Sequence, residues 1–479
     1  MSKYRYDVVI GLEVHVQLKT KSKIFSSAPT EFGAMPNSQV SVVCAGLPGT
    51  LPVLNRKVFE LGIRAVLALE GKVSSVVKFD RKNYFYPDLP KGYQISQFDK
   101  PLGRDGRVDI VVGDQTRTIR IHRLHLEEDA GKNMHMDDSS LVDLNRAGVP
   151  LIEIVSEPDL KTSEEAYVYL TNMKAILKSA GVSDVDMEKG QLRCDVNVSV
   201  RKSPQDPLGT KVEIKNVNSF KFVRSALEYE IERQSQLMDQ NERIVQETRL
   251  WDDPSGKTYS MRLKEEAHDY RYFPDPDLVP FIVEDKWVRD IQASMPELPA
   301  AKHDRFKQTY ALSDYDVQWV LSETEYEELF LSLATSYPSY KNLVNWLMGP
   351  VIAVSNELRI PLQEVLWDKD EFVNLLKWID EGKISFKAAK EEVFPIYSKD
   401  KKKPNVIIDE KGLTQISDQS FLEDIIQKVV QDNPKSVEDY KSGKANAISF
   451  LIGQVMRQTK GKANPNLVSS MIAQKLEAK

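Results

Sequence analysis

Two absences in the sequence exclude whole classes of protein. Cysteine occurs only twice in 479 residues, at Cys44 and Cys194, and neither belongs to a CxxC unit. A disulfide framework and a cysteine-rich zinc site are therefore not expected. The longest apolar stretch, residues 40–54, is interrupted by glycines and prolines, and the first eleven residues lack the apolar core of a signal peptide. We therefore expect a cytoplasmic protein without a membrane span.

Motifs of several nucleotide-binding and hydrolytic folds are also missing. The sequence contains no G-x-x-x-x-G-K-[ST], no G-x-G-x-x-G and no G-x-S-x-G, so P-loop, Rossmann and α/β-hydrolase folds lose their support. It has no local cysteine signature of a glutaminase nucleophile either. A nucleotide, if one binds, is expected on the surface of a sheet.

Charge is distributed unevenly along the chain. Sixty-five basic and 71 acidic residues give a net charge of −6, which is not the balance of a general nucleic-acid binder. The last 39 residues, from Lys441 onward, carry seven basic residues and one acidic residue, a net +6. A solvated helical tail explains this excess, but the tail is also the best candidate for contacting a polyanion.

The periodicity of apolar residues divides the chain into three blocks. Residues 1–293 alternate with period two and contain helices between the strands, whereas residues 294–400 have helical spacing. A lysine-rich joint precedes a third block of short helices, residues 405–479. We therefore predict an α+β fold: a domain built on an antiparallel β-sheet, then an all-α domain, then a small helical tail domain.

The first predicted strand places Glu13 and His15 on one face, opposite apolar neighbours. Side chains two residues apart lie roughly 6–7 Å from each other, so these two can converge on one ion or phosphate. For this segment alone, a strand with a solvated polar face is the better interpretation.

Acidic residues in two further segments favour a hard cation. Glu153 lies inside an apolar run, where an unpaired carboxylate is costly, so it needs a cation or an ion pair with a residue such as Arg146. Residues 122–129 concentrate two histidines and three carboxylates, which suit Mg²⁺ better than zinc. A solvated turn remains the alternative for that run.

Two later strands carry acids and bases on one face, Arg193 with Asp195 and Glu213 with Lys215. Carboxylates for a cation, together with Arg and Lys for phosphate oxygens, are what a nucleotide–metal site needs. The residues by themselves leave such a site and a wetted sheet surface both open.

Longer motifs along the whole chain resemble the B subunit of the bacterial aspartyl/glutamyl-tRNA amidotransferases. They include residues 10–16 (IGLEVHV), 79–88 (FDRKNYFYPD), 126–132 (LEEDAGK), 142–146 (VDLNR), 151–159 (LIEIVSEPD), 213–216 (EIKN), 269–274 (DYRYFP), 345–349 (NWLMG) and 436–440 (SVEDY). Agreement over so many long motifs is not accidental.

The resemblance implies a fold and an activity. The fold is a cradle domain related to glutamine synthetase, followed by a helical domain and a helical tail that contacts tRNA. The activity is ATP-dependent amidation of Glu-tRNA(Gln) or Asp-tRNA(Asn): the side-chain carboxylate is phosphorylated, and ammonia then displaces phosphate. The A subunit of these enzymes, a glutaminase, supplies the ammonia, and the small C subunit completes a heterotrimer. ATP and Mg²⁺ are the implied cofactors.

The resemblance also implies roles for particular residues. His15, Glu128 and Glu153 are the expected Mg²⁺ ligands, with Glu13 and Glu127 next to them. Strand alternation allows only one of Glu127 and Glu128 to face the metal, and the resemblance favours Glu128. The remaining expected members of the pocket are Arg193, Asp195 and Glu213 for catalysis and Lys82, Arg193 and Lys215 for cofactor binding. No zinc is expected, because the cysteines of the family's zinc site are missing.

Lys82 and the aromatic residues 84–86 are candidates for meeting the tRNA acceptor end, since aromatic rings stack on unpaired bases. Core packing explains those aromatics nearly as well.

Two other functions compete with tRNA-dependent amidation. A free-standing ligase for a small carboxylate would use the same acidic and basic sheet, but it has no use for a basic tail. A non-catalytic tRNA-binding scaffold would need the tail but not Mg-ATP.

Overall fold

The structure, a computed structural model, describes residues 4–263, 270–415, 419–442, 446–459 and 463–477. It divides into two compact units, Met1–Pro299 and Ala300–Lys479.

The first unit combines strands with helices. Its strands are β1 (Asp7–Gln17), β2 (Lys72–Val73), β3 (Val76–Val77), β4 (Asp80–Asn83), β5 (Tyr93–Ser96), β6 (Gly103–Val112), β7 (Gln115–Glu128), β8 (Lys132–His135), β9 (Ser140–Asp143), β10 (Pro150–Ser156), β11 (Leu192–Arg201), β12 (Val212–Lys215), β13 (Glu247–Asp252), β14 (Lys257–Leu263), β15 (Phe273–Pro274) and β16 (Phe281–Ile282). Its helices are α1 (Arg56–Ala68), α2 (Ser163–Ser179), α3 (Phe220–Asp239) and α4 (Asp285–Ala293).

A nine-stranded sheet forms the framework of this unit, in the order β14-β13-β12-β11-β1-β10-β7-β6-β2. The prediction of a large sheet combined with helices is confirmed. Neighbouring strands run antiparallel, except that β12 and β13 are parallel. The long-range pairing places β1 between β10 and β11, although about 140 to 180 residues separate these strands in the chain.

One face of the sheet is apolar and packs against α1, α2 and α3. In β1 this face carries Leu12, Val14 and Val16, which are all at most 1% exposed. Because side chains alternate along a strand, Glu13 and His15 lie on the opposite face. Each of these three helices begins at a side-chain cap; for α3 the cap is Ser219, whose hydroxyl accepts the Phe222 N–H at 3.1 Å.

Three small sheets complete the first unit: β15-β4-β5, β16-β3 and the hairpin β8-β9. Strand β5 packs against the end of β7, where the Gln94 side chain donates to the Glu128 carbonyl at 2.7 Å. This contact holds β4, with Lys82, beside the polar face of the large sheet.

The second unit is helical. It contains α5 (Pro299–Tyr310), α6 (Asp314–Val320), α7 (Thr324–Ala334), α8 (Tyr340–Trp346), α9 (Ile352–Leu358), α10 (Leu362–Val365), α11 (Lys369–Asp380), α12 (Phe386–Ala388), α13 (Phe394–Asp400), α14 (Pro404–Lys411), α15 (Gln419–Asp432), α16 (Pro434–Lys441), α17 (Asn446–Gln458) and α18 (Pro465–Glu477). Two π-helical segments, Leu347–Val351 and Ala389–Val393, interrupt it. Among the described helices of the chain, none has the length and apolarity needed to cross a membrane.

Two apolar cores lie within the second unit. One extends from Phe306 to Ile408, and the other from Leu422 to Leu476. Helix α14 contributes Ile407 and Ile408 to the first of these cores, so its packing belongs with the helices before it rather than with the tail helices.

Candidate functional site

The register of three central strands brings histidines and carboxylates together on the polar face. His15 of β1 pairs with Glu153 of β10, and Glu153 pairs in turn with His125 of β7. Directly paired residues of antiparallel strands project to the same face. Glu127 shares that face with His125, since the two are separated by one residue along β7.

We call these four residues, His15, His125, Glu127 and Glu153, the His–Glu cluster. The His15 Nε2 atom lies 3.2 Å from a Glu153 oxygen and 3.6 Å from a Glu127 oxygen. His125 Nε2 lies 3.4 Å from Glu153 and 3.7 Å from Glu127. The side chain of His15 is 20% exposed, and those of the other three are at most 10% exposed. The cluster is thus largely shielded from solvent, and His15 is its most exposed member.

The two carboxylates of the cluster dominate its electrostatics. Burial opposes protonation of His125, but the charge of Glu153 and hydrogen bonds with both glutamates raise the pKa of His125 to about 9. Burial acts to lower the pKa of His15 as well, but Glu153 and Glu127 outweigh it, so that the pKa of His15 is raised. Conversely, burial would raise the pKa of Glu153, but the two histidines hold it well below its usual value. The site therefore attracts positive charge.

The donor atoms of the cluster meet the needs of a divalent cation. One ligand atom each from His15, Glu127 and Glu153 can be chosen so that all three lie within 4.8 Å of one another. Two carboxylates and one imidazole, with His15 partly exposed, suit a hard cation such as Mg²⁺. These residues fit the metal that the sequence predicts.

Glu128 lies elsewhere, and here the structure differs from the expected arrangement. Its carboxylate accepts the Ile95 N–H at 2.9 Å and pairs with Lys91. Alternation along β7 is the reason, because it directs Glu127 toward His15 and Glu128 toward β5. The structure therefore brings Glu127, and not Glu128, to His15 and Glu153. A metal-binding role for Glu128 stays a prediction.

Arg146 and His122, the other candidate partners in the acidic segments, lie outside the cluster. Arg146 does not pair with Glu153; its guanidinium donates to the carbonyls of Ala130 and Gly131 at 2.9 and 2.6 Å. His122, the other histidine of the run, is outside the cluster and lies 3.0 Å from Glu157.

Lys82 extends over the polar face from β4. Its ammonium lies 4.8 Å from the ring centroid of Tyr270 and 5.9 Å from that of Tyr84. Burial lowers the pKa of Lys82, but the charge of Glu127 leads a group of neighbours that raise it overall. Lys82 is thus a cation held by aromatic rings in the field of the cluster. Phe85 and Tyr86 are 78% and 55% exposed, so they are not core residues.

Arg193 of β11 lies beside His15 in the strand register. Its guanidinium donates to Asp129 at 2.8 Å, and the Gln17 amide donates to the same carboxylate oxygen at 3.3 Å. Arg193 therefore presents a positive charge next to the cluster, held in place by a buried carboxylate.

The other predicted residues form a second polar group across β1, β11 and β12. Lys215 donates to Asp195 at 3.0 Å and lies 3.6 Å from Glu213, which accepts the Thr248 hydroxyl at 2.8 Å. Glu13 accepts the Asn197 amide at 2.9 Å. Glu13 and His15 share a face, yet within the described residues only His15 joins the metal-competent set.

Sequence reasoning assigned no role to His125. The signal was present, because His125 and Glu127 are separated by one residue and alternation puts them on one face. Only the pairing of β7 with β10 adds that His125 also meets Glu153.

Comparison with known proteins gives the family. Residues 8–289 match the family model described as "GatB/GatE catalytic domain", and residues 328–476 match the one described as "GatB domain". Relatives named as the B subunit of aspartyl/glutamyl-tRNA(Asn/Gln) amidotransferase match over nearly their full lengths. The protein of Thermoanaerobacter pseudethanolicus is 54% identical over 473 residues, 98% of this chain and 99% of the relative. That of Persephonella marina is 50% identical over 474 residues, 98% and 100% of the two chains. That of Brevibacillus brevis is 48% identical over 476 residues, 99% of each.

The fold and the site are those of an enzyme subunit: the His–Glu cluster lies on the polar face of a large sheet, and the opposite face of that sheet forms the core. The chain belongs to the B-subunit family of the aspartyl/glutamyl-tRNA amidotransferases, which are ligases of protein biosynthesis.

Proposed function

We propose that this chain activates the side-chain carboxylate of Glu-tRNA(Gln) or Asp-tRNA(Asn) with ATP and transfers ammonia to it. The observation that carries the proposal is the His–Glu cluster, in which His15, Glu127 and Glu153 offer ligand atoms within 4.8 Å of one another. A carboxylate is a poor electrophile, whereas its acyl phosphate reacts readily with an amine. Phosphoryl transfer chiefly requires positioning and neutralisation of oxygen charge, and a sheet face with fixed acids and bases supplies both.

His15, Glu127 and Glu153 would hold Mg²⁺, which supplies positive charge against phosphate oxygens when bound. Arg193 pairs with His15 in the strand register, and Lys82 lies in the field of Glu127 and Glu153. Their charges would orient phosphate groups and the substrate carboxylate. The side chains of Arg193 and Lys82 are already held by their neighbours, so they require little reorganisation during the reaction.

The second polar group, Glu13, Asp195, Glu213 and Lys215, is proposed to extend the same site. Lys215 would bind the nucleotide, and the carboxylates would position Lys215 through the contacts at 3.0 and 3.6 Å. Glu128 is proposed to hold Lys91 and the Ile95 N–H beside the site, and its expected role as a metal ligand stays a prediction.

The proposed partners follow from the name of the relatives, which makes each of them one component of a larger enzyme. The chain would work in the cytoplasm as part of a heterotrimer, with a glutaminase (the A subunit) that supplies ammonia and with the small C subunit. The exposed rings of Phe85 and Tyr86, near Lys82 in the sequence, are proposed to stack on the acceptor end of the tRNA.

Replacing Glu153 with Gln tests the metal role in the assembled complex. We expect amide formation on misacylated tRNA to fall about 100-fold or more, because a charged group of the reaction centre is lost. Glutamine hydrolysis by the glutaminase partner should continue. Amide formation is measured with Glu-tRNA(Gln) and Asp-tRNA(Asn), and Mg-ATP binding is measured by calorimetry.

Glu157→Gln is the matched control, since Glu157 is outside the cluster and contacts His122. The control should retain normal amide formation. Normal activity of Glu153→Gln would contradict the proposed site. ATP turnover with free glutamate and no tRNA would instead favour a ligase for small carboxylates.

A further inference from the structure

A lysine and a cysteine meet in a buried place that the proposed reaction does not use. Lys23 is 0% exposed and Cys44 is 6% exposed. The Lys23 ammonium nitrogen has three acceptors around it: the Gln39 carbonyl at 2.7 Å, the Leu144 carbonyl at 3.3 Å and the Cys44 sulfur at 3.4 Å. A protonated amine has three N–H donors and no lone pair, so these contacts match the charged form of Lys23.

The Cys44 sulfur is surrounded by donors. It accepts the Ser41 hydroxyl at 3.1 Å in addition to Lys23, and the Ser26 hydroxyl lies 3.6 Å away. The Ser41 oxygen accepts the Cys44 N–H at 3.1 Å, so its own proton is directed at the sulfur. With its neighbours donating to it, the sulfur is arranged as a thiolate.

The charges around the pair agree with this assignment. Burial lowers the pKa of Lys23, and the Cys44 sulfur, followed by the charges of Asp143 and Glu128, opposes this lowering only in part. In the part of the chain that the structure describes, no carboxylate forms an ion pair with Lys23. A buried ammonium needs an anion nearby, and the sulfur is the group in contact that can provide one. Burial raises the pKa of Cys44, but the Ser41 hydroxyl and amide, Lys23 and Ser26 lower it overall.

We propose that Cys44 and Lys23 form a thiolate–ammonium pair and that Cys44 is a site of modification by oxidants of the peroxide class. The thiolate attacks one oxygen of hydrogen peroxide, so that an S–O bond forms and the O–O bond breaks. The sulfur loses two electrons, and the peroxide gains them. The departing hydroxide takes a proton from solvent and leaves as water, and Cys44 becomes a sulfenic acid.

Modification would also change the structure around the pair. A sulfenic acid is neutral, so the Lys23 ammonium would remain buried without its anion. The contacts of Lys23 with Gln39 and Leu144, which join two segments of the first unit, would lose stability.

Cys194 provides an internal control within the same chain. It is 4% exposed, close to the 6% of Cys44, but it is packed in the apolar core, and its described hydrogen bond is one that the thiol donates to the Asp195 carbonyl at 3.7 Å. Burial raises the pKa of Cys194 well above its usual value. The two cysteines therefore have similar exposed fractions, and their pKa values are shifted in opposite directions.

The test treats the full chain with hydrogen peroxide in the presence of dimedone and measures labelling of each cysteine by peptide mass spectrometry. An ordinary thiol is about 3% ionised at pH 7, so a full thiolate reacts about 30-fold faster before its lower nucleophilicity is counted. We expect Cys44 to be labelled at least about tenfold faster than Cys194. Its rate of alkylation by iodoacetamide should change little between pH 7 and 9, whereas that of Cys194 should rise.

Lys23→Met keeps an unbranched side chain of nearly the same length and removes its charge. In this variant the labelling of Cys44 at pH 7 should fall about tenfold and its pH profile should become that of an ordinary thiol. Lys23→Arg should retain part of the reactivity. Equal labelling of the two cysteines in the unmodified chain, or an alkylation rate at Cys44 that rises tenfold per pH unit, would overturn the proposal without any variant.

Discussion

Glu230 of α3 is a fully buried carboxylate that is fully engaged by its neighbours. It is 0% exposed and accepts hydrogen bonds from Arg233 at 2.6 Å, Gln234 at 2.9 Å and Thr258 at 3.0 Å. Arg249 lies 3.5 Å away. These contacts join α3 to β13 and β14, so a single carboxylate holds the edge of the large sheet to its covering helix.

Replacing Glu230 with Ala should destabilise the first unit by about 3 kcal/mol, since the two arginines lose a buried partner. Urea denaturation followed by circular dichroism measures the change. Glu232→Ala, at an exposed position of the same helix, should change stability by less than about 0.5 kcal/mol. Equal effects of the two variants would contradict the importance of the buried network.

Asp316 gives a pH-dependent contribution to the second unit. Its carboxylate accepts from Lys341 at 2.6 Å and from the Ser313 hydroxyl at 2.7 Å. Burial raises the pKa of Asp316, but Lys341 and Ser313 hold it below the usual value of 3.8. A depressed pKa stabilises the fold above the unfolded pKa, and this stabilisation is lost as the pH falls through the folded pKa.

Asp316→Asn should therefore lower the melting temperature at neutral pH, and the difference from the unmodified chain should shrink as the pH falls below 3.8. Thermal unfolding at a series of pH values measures this. A difference that is constant from pH 7 to pH 3 would exclude the titration of Asp316 as the cause.

At the scale of elements, α1 packs very closely on the sheet at Gly103 of β6. A Cβ atom added at Gly103 would lie 2.5 Å from a methyl carbon and 3.1 Å from the Cβ of Val66, a fully buried residue of α1. Gly453 of α17 is the opposite case, because an added Cβ there has nothing within 4 Å. Close packing therefore requires glycine at position 103 but not at position 453.

Gly103→Ala should destabilise the chain by about 1–3 kcal/mol through overpacking. Gly453→Ala should stabilise α17 by about 0.5–1 kcal/mol, since alanine restricts the unfolded chain and favours a helix. Chemical denaturation compares the two variants. A stabilising effect of Gly103→Ala would show that the helix can shift away from β6 without cost.

At the scale of the whole molecule, the three apolar cores indicate where the tail can be removed. Helix α14 buries Ile407 and Ile408 in the second core, so a cut after Lys403 would damage that core. A cut after Gln415 keeps α14 and removes the helices of the last core, Leu422 to Leu476, with the basic residues beyond Lys441.

The chain ending at Gln415 should keep the helical signal of its remaining elements. On the proposed role of the tail, its apparent KM for tRNA should rise, and the dependence of tRNA binding on salt should weaken because fewer counterions are released. Filter binding at several salt concentrations measures both. Unchanged tRNA binding would remove the tail from the proposed interface.

The sequence by itself determined the faces of the strands. Alternation in β1 places Leu12 and Val14 in the core and His15 on the polar face, and this follows from the two-residue repeat of any strand. Capping of α3 by Ser219 is equally local, because the hydroxyl meets an N–H three residues later. The family could also be predicted from the sequence, since its motifs extend over most of the chain.

Only the tertiary structure decided which side chains meet. Strand order places β10 and β11 on the two sides of β1, and such pairing depends on the packing of the whole core rather than on neighbours in the chain. For that reason Glu127 meets His15 and Glu153 while the adjacent Glu128 binds Ile95 and Lys91. One step along a strand reverses the direction of a side chain, but only the fold determines what lies in each direction.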